Sequence, residues 1–256
     1  MVVEWRKNMA KITAITNQKG GVGKTTTAQA LAEGLRNRGR SVLLVDLDPQ
    51  SNLTYSMGAV MREGTPTAYD VMKGAAAASE AIQSTKNGDI LPGSLLLSAA
   101  DREFNKAASV LIIKKALAPV ADQYDHIIID TPPALNVLTE NAYTAADELI
   151  ITMNAGAFSM QAVLQLYSTI GDVRELGNPD LEIAGILLCK YSERTTISKD
   201  LREQIMDLAE QIGTKLYNTT IRQAVVVEEA QLTRTNLGSY APTSNPAKDY
   251  EAFTAE

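Results

Sequence analysis

The stretch that decides the fold is Ile12-Thr13-Ala14-Ile15-Thr16-Asn17-Gln18-Lys19-Gly20-Gly21-Val22-Gly23-Lys24-Thr25-Thr26. Its first five residues are apolar or β-branched and predict a buried strand over Ile12–Thr16. A glycine-rich segment follows directly and opens a predicted helix over Thr25–Asn37. Glycines let successive backbone N–H groups curve around a phosphate without side-chain clashes, and a helix N-terminus favours an anion. The order of strand, loop and helix therefore predicts a phosphate-binding loop.

The loop residues have expected parts in binding a nucleoside triphosphate. The Lys24 ammonium is expected to reach the β- and γ-phosphates, and the Thr25 hydroxyl to coordinate Mg²⁺. The general pattern has glycine where Gln18 stands, and an additional lysine, Lys19, comes next. A glycine-rich turn with solvated lysines is the alternative, but the position between strand and helix favours phosphate binding. The expected binding residues are Lys19, Gly20, Gly21, Val22, Gly23, Lys24, Thr25 and Thr26.

Three aspartates come at or just after the ends of apolar strands. Asp46 ends the predicted strand Ser41–Asp46, Asp48 follows it, and Asp130 ends the predicted strand Ile127–Asp130. Because parallel strands bring their carboxyl ends to one crevice, we expect these side chains near the phosphates. Asp130 is expected to hold a water on Mg²⁺, since hard cations prefer oxygen, and Asp48 to orient the attacking water. For each aspartate, capping of the following loop is the alternative.

Short apolar stretches alternate with stretches of helix length along most of the chain. This alternation predicts right-handed βαβ units and an α/β fold, a doubly wound, mostly parallel sheet with helices on both faces. We expect residues 1–9 to be an N-terminal extension and residues 10–256 to form one domain. Two further predicted strands are Leu149–Met153 and Ile183–Cys189. The predicted longer helices are Ala108–Ala118, Leu135–Ala145, Ser159–Glu175 and Ser198–Gln211, and the shorter ones are Tyr69–Lys73, Ala75–Gln83, Val225–Gln231 and Asn245–Phe253.

Composition excludes several classes of protein. The chain has 256 residues, a net charge of −6, one cysteine and one histidine. A single cysteine excludes an internal disulfide framework, and a single histidine excludes a multi-histidine metal site. The acidic balance excludes a constitutively basic coat protein for nucleic acid. Without an apolar run of about 18–20 residues or a signal-peptide apolar region, we expect a cytoplasmic location.

Three motifs together resemble a known family. Lys19–Thr26, Val45–Gln50 and Tyr124–Pro133 are similar to the deviant Walker A, A′ and B motifs of the ParA/MinD/Soj P-loop ATPases. The stretch Leu43–Asn52 resembles the ParA/Soj branch in particular. The resemblance implies an ATPase that binds Mg-ATP and forms a homodimer around it. It also implies that Lys19 reaches across the dimer to the partner's phosphates, as an arginine finger does in trans.

The resemblance implies a biological role as well. Family members coat the nucleoid as ATP dimers and are released when a ParB-like centromere-binding protein stimulates their slow hydrolysis. Partition of a plasmid or chromosome, with non-specific DNA binding and a nucleoid-associated location, is therefore the expected role. Positioning of a protein cargo is the alternative, because sequence does not identify the load.

Candidate DNA contacts lie in the last third of the chain. The segments Ser192–Thr195 and Ile197–Lys199 match a loop-and-helix element of the family, which implies Arg194 as a contact. Residues 221–230 depart from the family pattern: the proline and asparagine that border the adenine are absent, and Val226 replaces a second DNA-facing arginine. The basic residues expected to form a DNA-binding patch are Lys199, Arg202, Lys215, Arg222 and Arg234. Residues 186–235 hold seven acidic beside seven basic side chains, so scattered solvated charges are the alternative.

Three rival classes fit the sequence less well. A MinD-like membrane switch needs a basic amphipathic terminal helix, whereas the tail Asp249–Glu256 is acidic. An electron-transfer ATPase of the nitrogenase iron-protein type needs two cluster-binding cysteines per subunit, but Cys189 stands alone and is expected in the core. A metabolic kinase or amidoligase should show a charged acceptor site of its own, and the sequence shows none. No membrane partner is therefore expected.

Overall fold

The computed structural model describes residues 9–154, 159–191 and 196–256. One sheet of eight strands runs through them in the order β3-β4-β2-β5-β1-β6-β7-β8. Neighbouring strands pair in parallel, except for the antiparallel pair β3 and β4. This confirms the doubly wound, mostly parallel sheet. The strands are β1 Lys11–Thr16, β2 Val42–Asp46, β3 Gln83–Thr85, β4 Gly88–Leu91, β5 His126–Asp130, β6 Glu148–Met153, β7 Glu182–Tyr191 and β8 Leu216–Arg222.

Helices connect the strands and cover both faces of the sheet. The helices are α1 Lys24–Asn37, α2 Asn52–Met57, α3 Ala68–Lys73, α4 Ala78–Ala81, α5 Ala100–Glu103, α6 Ile112–Leu117, α7 Val137–Ala145, α8 Ser159–Leu176, α9 Thr196–Gln211, α10 Val226–Leu232, α11 Leu237–Tyr240 and α12 Asn245–Ala255. Alternate strand residues enter two cores, as Ile127 and Ile129 do on one face and Ile128 on the other. Burial on both faces explains why the central strands are almost entirely apolar.

Several predicted elements differ from those observed. The helix predicted over Ala108–Ala118 is a 3₁₀ turn at Ala107–Leu111 followed by α6, and that over Ala75–Gln83 shortens to α4. Helix α7 begins at Val137 because the Asn136 side chain accepts hydrogen bonds from the first N–H groups and caps it. Strands β3, β4 and β8 were not predicted, since they are short or polar and the apolar period-2 signal is weak there.

The strand order places the phosphate loop at the centre of the molecule. Strand β1 lies between β5 and β6, and β5 lies between β1 and β2. The carboxyl ends of β1, β2 and β5 therefore meet at one edge of the sheet. This edge carries the glycine-rich loop after β1 and the aspartates of β2 and β5, where open α/β sheets bind their ligands.

Candidate nucleotide-binding site

Left-handed backbone and a side-chain brace shape the phosphate loop. Gly21 has φ 71° and Gly23 has φ 91°, conformations that disfavour any residue with a Cβ. A Cβ on Gly23 would also lie 3.2 Å from the Cβ and Sγ atoms of Cys189. Asn17 donates from Nδ2 to the Thr152 carbonyl at 2.6 Å, and its Oδ1 accepts from the Lys19 N–H at 2.9 Å. These contacts and backbone angles fix the curve of the loop, whose shape suits an anion.

Lys24 lies inside the loop, with only 6% of its surface exposed. Its Nζ donates to the Lys19 carbonyl at 3.2 Å. Burial lowers the pKa of the ammonium, and the carboxylates of Asp130 and Asp48 oppose that shift. A buried cation in a cleft edged by N–H groups is suited to a phosphate, whose charge compensates for the water that Lys24 has lost.

Thr25 and Asp130 meet at the first turn of α1. The Thr25 hydroxyl donates to Asp130 Oδ2 at 2.6 Å, while Asp130 Oδ1 is buried without a hydrogen-bond partner in the described part of the chain. Burial, together with the nearby Asp46, raises the pKa of Asp130 well above its usual value. An unpaired buried carboxylate oxygen beside a hydroxyl fits a hard cation or its bound water. Thr25 and Asp130 are therefore placed as a Mg²⁺ site requires.

The two aspartates at the end of β2, Asp46 and Asp48, differ in their surroundings and hydrogen-bond partners. Asp46 is fully buried, and its carboxylate accepts from the Thr54 N–H at 2.8 Å, the Thr54 hydroxyl at 2.6 Å and the Asp48 N–H at 3.1 Å. Burial raises the pKa of Asp46 to about 6. Asp48 lines the cleft, and its Oδ1 accepts from the Gln50 N–H at 2.9 Å. Asp46 thus holds the following loop in place, as the alternative interpretation proposed. Asp48 lies at the cleft, and its expected role in orienting water stays a prediction.

The acidic groups are too few to hold a metal ion alone. Among the described residues, no group of three histidine, cysteine or acidic side chains has the spacing of a metal site. A cation here would have to complete its shell with phosphate oxygens and water, which is how Mg²⁺ ordinarily binds beside nucleotides. The donor set fits Mg-nucleotide better than it fits a resident metal.

The cleft has a second wall, which includes residues of the segment 221–230 that the family resemblance associates with the adenine. It has a volume of about 700 Å³ and extends from the phosphate loop to the segment after β8 and to α10. Gln231 on α10 donates to the Thr26 hydroxyl at 3.0 Å, which ties this wall to the loop. Tyr250 on α12 lines the cleft, and its hydroxyl lies 3.1 Å from the Thr27 hydroxyl. No local pattern indicated either contact, because each joins residues more than 200 positions apart.

Comparison with known proteins agrees with this site. A family model described as an AAA domain matches residues 10–183. The protein Soj of Bacillus subtilis, a sporulation initiation inhibitor, is 37% identical over 94% of this chain and 96% of its own. The chromosome partitioning protein ParA of Caulobacter vibrioides is 37% identical over 87% of this chain and 84% of its own. The chain belongs to the ParA/Soj family of P-loop ATPases.

A solved structure extends the likeness to the whole fold. Cobyrinic acid a,c-diamide synthase of Mycobacterium smegmatis, with a bound ATP analogue and magnesium, is 33% identical with a TM-score of 0.79. The match covers 96% of this chain and 93% of that one. Chains of this fold therefore include one that was solved with a magnesium nucleotide.

Lys19, the lysine that marks the ParA/Soj family, lies apart from the rest of the site. Its side chain is exposed, and it is not among the residues that line its own cleft. An exposed cation at the rim faces outward, where a second subunit could approach. This position is compatible with the expected role across a dimer, which stays a prediction.

Four of the six candidate DNA contacts, Arg194, Lys199, Arg202 and Arg222, have different settings. Arg194 lies outside the described residues, and of Lys199 the structure describes the position on α9 but not the side chain. Arg202 is partly exposed on the same helix. Arg222 lines the cleft instead, and its guanidinium pairs with Asp249. DNA contact by these residues stays a prediction.

None of the described helices is both long enough and apolar enough to cross a bilayer.

The buried thiol of Cys189 lies beneath the phosphate loop, 1% exposed, and burial raises its pKa to about 12. This protonated thiol packs in the core of the ATPase fold, as the sequence suggested.

Proposed function

We propose that this protein is a Mg-ATP-dependent switch that dimerises with ATP and hydrolyses it slowly. The observation that carries the proposal is the cluster of Lys24, Thr25 and Asp130 at the end of the sheet, with Asp48 facing the same cleft. When bound, Mg²⁺ supplies positive charge that stabilises the charge developing on the phosphates. Lys24 holds the β- and γ-phosphates, and Thr25 and Asp130 hold the cation and its water. Hydrolysis gives ADP and phosphate.

The remaining residues act on water and on the partner. Asp48 orients a water for in-line attack on the γ-phosphate, since its carboxylate lies at the cleft and its other contact is a backbone N–H. Lys19 adds a second positive charge to the site of the other subunit, so that a complete site forms only in the dimer. The dimer then forms only when ATP is bound, and hydrolysis of the ATP separates the two subunits.

The biological role that we propose is partition of a plasmid or chromosome. The ATP dimer would bind non-specific DNA through Arg194, Lys199, Arg202 and Arg222, and a ParB-like centromere-binding protein would stimulate its hydrolysis. A nucleoid-associated location would follow from that binding. The likeness to Soj and ParA over most of the chain supports this role.

Binding of non-specific duplex DNA is the experiment that tests the role. It is measured with Mg-ATP, with Mg-ADP and without nucleotide, each over a salt series. We expect DNA binding with Mg-ATP but not with Mg-ADP or without nucleotide. The affinity should fall steeply as salt is added, because contacts to a few DNA phosphates release counterions. Absence of binding at low salt, with ATP dimers present, would favour positioning of a protein cargo. Binding of ATP dimers to anionic vesicles would instead favour a MinD-like switch.

The likeness to a diamide synthase raises ATP-dependent amide formation as a rival activity. A ligase couples ADP release to a carboxylic acceptor and a nitrogen donor, whereas a switch hydrolyses ATP with water alone. The same preparation, assayed for ADP without any acceptor, separates the two. Slow release that DNA and a partner accelerate supports the switch.

A further inference from the structure

Asn17 lies where β1 ends and the phosphate loop begins, and the proposed mechanism gives it no role. Its side chain is buried, with 4% of the residue exposed. The last pair of the β1–β6 ladder is Thr16 with Ile151. One residue further along, the Asn17 side chain takes over from the backbone, since its Nδ2 donates to the Thr152 carbonyl at 2.6 Å. The side chain thus continues the pairing of the two strands past the end of β1.

The other end of the same amide holds Lys19. Asn17 Oδ1 accepts from the Lys19 N–H at 2.9 Å, an Asx turn that bends the chain within two residues. The Lys19 carbonyl accepts from Lys24 Nζ at 3.2 Å. Strand β6 lies between β1 and β7, and Thr152 on it is fully buried. The Lys19 backbone is therefore fastened, through Asn17, to a strand inside the sheet.

The Lys19 side chain has no support of its own. It is exposed, and in the described part of the chain its ammonium makes no hydrogen bond or ion pair. Lysine carries its charge on a flexible four-carbon stem, so the backbone sets the direction in which the side chain leaves the loop. Direction matters for a group that acts on a reacting phosphate, because a misplacement of about 1 Å can cost about 100-fold in rate.

We propose that Asn17 is the positioning residue for Lys19. Its amide fastens the Lys19 backbone to β6, so that the exposed ammonium is directed toward the phosphates of a second copy of this chain. This inference rests on the proposed function, because Lys19 acts there only across a dimer. A residue that merely shaped the loop would instead serve the nucleotide of its own subunit, and this difference can be measured.

The experiment mixes two variants of the full chain, each of which lacks one half of a working site. Asp48→Asn is expected to bind ATP and to offer its Lys19 to another subunit, but not to hydrolyse. Lys19→Ala keeps Asp48 but has no ammonium to offer. Only a mixed dimer then combines an intact Asp48 with a Lys19 from the other subunit, and its phosphate release is measured with Mg-ATP.

Asn17→Ala is then added to one of the two variants at a time. In the Asp48→Asn subunit, which supplies Lys19, it should lower hydrolysis by the mixture about ten-fold or more. In the Lys19→Ala subunit, which carries the working site, it should lower hydrolysis less than about three-fold, as loss of an ordinary hydrogen bond does. Asn17→Ser in the first subunit should restore part of the loss, because serine keeps an acceptor for the Lys19 N–H but is too short for the Thr152 carbonyl.

The matched control is Asn178→Ala. Asn178 is also a buried asparagine, and its Nδ2 donates to the carbonyls of Tyr143 at 2.9 Å and Ala146 at 2.7 Å, away from the cleft. Its loss should lower the midpoint of thermal unfolding, as Asn17→Ala does. Its effect on hydrolysis should be the same in whichever subunit carries it.

Three results would overturn the inference. They are an unchanged rate with Asn17→Ala in the subunit that supplies Lys19, an equal loss from either subunit, and a larger loss from the subunit that carries the working site. The last two would make Asn17 a part of its own nucleotide site. A wild type that hydrolyses ATP as a monomer, with a mixture no faster than its two components, would overturn the shared site of the proposed function instead. This comparison needs no change at Asn17, which separates the two failures.

Discussion

At the scale of single residues, neighbouring aspartates of similar sequence context have different chemistry. Asp46 and Asp130 pair in register on adjacent strands, and both are fully buried. Both carboxylate oxygens of Asp46 accept hydrogen bonds, from the N–H and hydroxyl of Thr54 and from the Asp48 N–H. In the described part of the chain, one carboxylate oxygen of Asp130, beside Thr25, has no hydrogen-bond partner. Asp48 lies at the cleft. The number of hydrogen bonds that each carboxylate accepts from the protein thus distinguishes Asp46, which holds the following loop, from Asp130 and Asp48, for which we propose the roles of cation ligand and water-orienting group.

Asp48→Asn should lower ATP hydrolysis about 100-fold or more and leave the ATP-bound dimer intact. Asparagine keeps an oxygen for the Gln50 N–H but cannot orient or accept a proton from water as a carboxylate does. Phosphate release and light scattering with Mg-ATP measure the two effects. Asp125→Asn is the control, because its exposed carboxylate lies just before β5, at the edge of the sheet opposite the cleft. Equal hydrolysis by wild type and Asp48→Asn would remove this role.

Asp46 should make stability depend on pH in the nucleotide-free protein. Because the folded pKa is about 6 and the unfolded one about 4, its stabilising contribution is complete below about pH 4 and is lost as pH rises through 6. We expect wild type to lose on the order of 2–3 kcal/mol over this interval relative to Asp46→Asn, which mimics the protonated group. Urea unfolding at pH 4 and pH 7 gives the difference. A constant gap between the two proteins would contradict the assignment.

At the scale of elements, the first turn of helix α1 contacts two helices from the C-terminal part of the chain, α10 and α12. Helix α10 reaches its first turn through Gln231, and α12 reaches it through Tyr250. Cys189 of β7 lies under Gly23. Tyr250 of α12 lies within hydrogen-bond distance of the Thr27 hydroxyl in the first turn of α1, so the end of the loop and the start of the helix rest on buried groups of two other elements. The shape of the loop is therefore a property of three elements together.

Tyr250→Phe should weaken Mg-ATP binding several-fold and lower the free energy of unfolding by about 1 kcal/mol, the ordinary cost of a buried hydrogen bond. Tyr143→Phe is the matched control, since its hydroxyl is equally buried and lies 2.5 Å from the Thr16 hydroxyl on the other face of the sheet. The control should lose stability without a comparable loss in affinity. Calorimetry and thermal unfolding measure both quantities, and equal losses of affinity would show a general loss of packing.

At the scale of the whole molecule, we expect the buried Lys24 to be needed for nucleotide binding and the exposed Lys19 to be needed for dimerisation. Lys24→Ala should abolish nucleotide binding, because the buried phosphate site loses its cation. Lys19→Ala should bind Mg-ATP nearly as wild type does and remain monomeric, because its ammonium would act only across the dimer. Calorimetry gives the affinity and light scattering the mass. An ATP-dependent dimer of unchanged mass in Lys19→Ala would refute the shared site.

Sequence alone determined the central strands, the mostly parallel sheet and the position of the phosphate loop. These follow from local rules: β-branched apolar runs make buried strands, glycines permit the left-handed turns at Gly21 and Gly23, and parallel strands collect their carboxyl ends. The sequence alone therefore predicts Lys24, Thr25 and Asp130 at one edge of the sheet. Their meeting, with Thr25 bonded to Asp130, is a consequence of strand order.

Only the tertiary structure decided the rest of the cleft. No period or motif points Gln231 and Tyr250 toward Thr26 and Thr27, which lie more than 200 positions earlier in the chain. Arg222 lies in the segment that the family resemblance associates with the adenine, but its pairing with Asp249 is visible only in the folded chain. Their partners depend on how β8 and α12 dock, which is governed by packing over the whole sheet. The structure likewise showed that Asp46 holds the loop after β2 through hydrogen bonds, and that Arg222 pairs with Asp249. Burial and hydrogen-bond partners are properties of the folded chain, so the sequence could not give them.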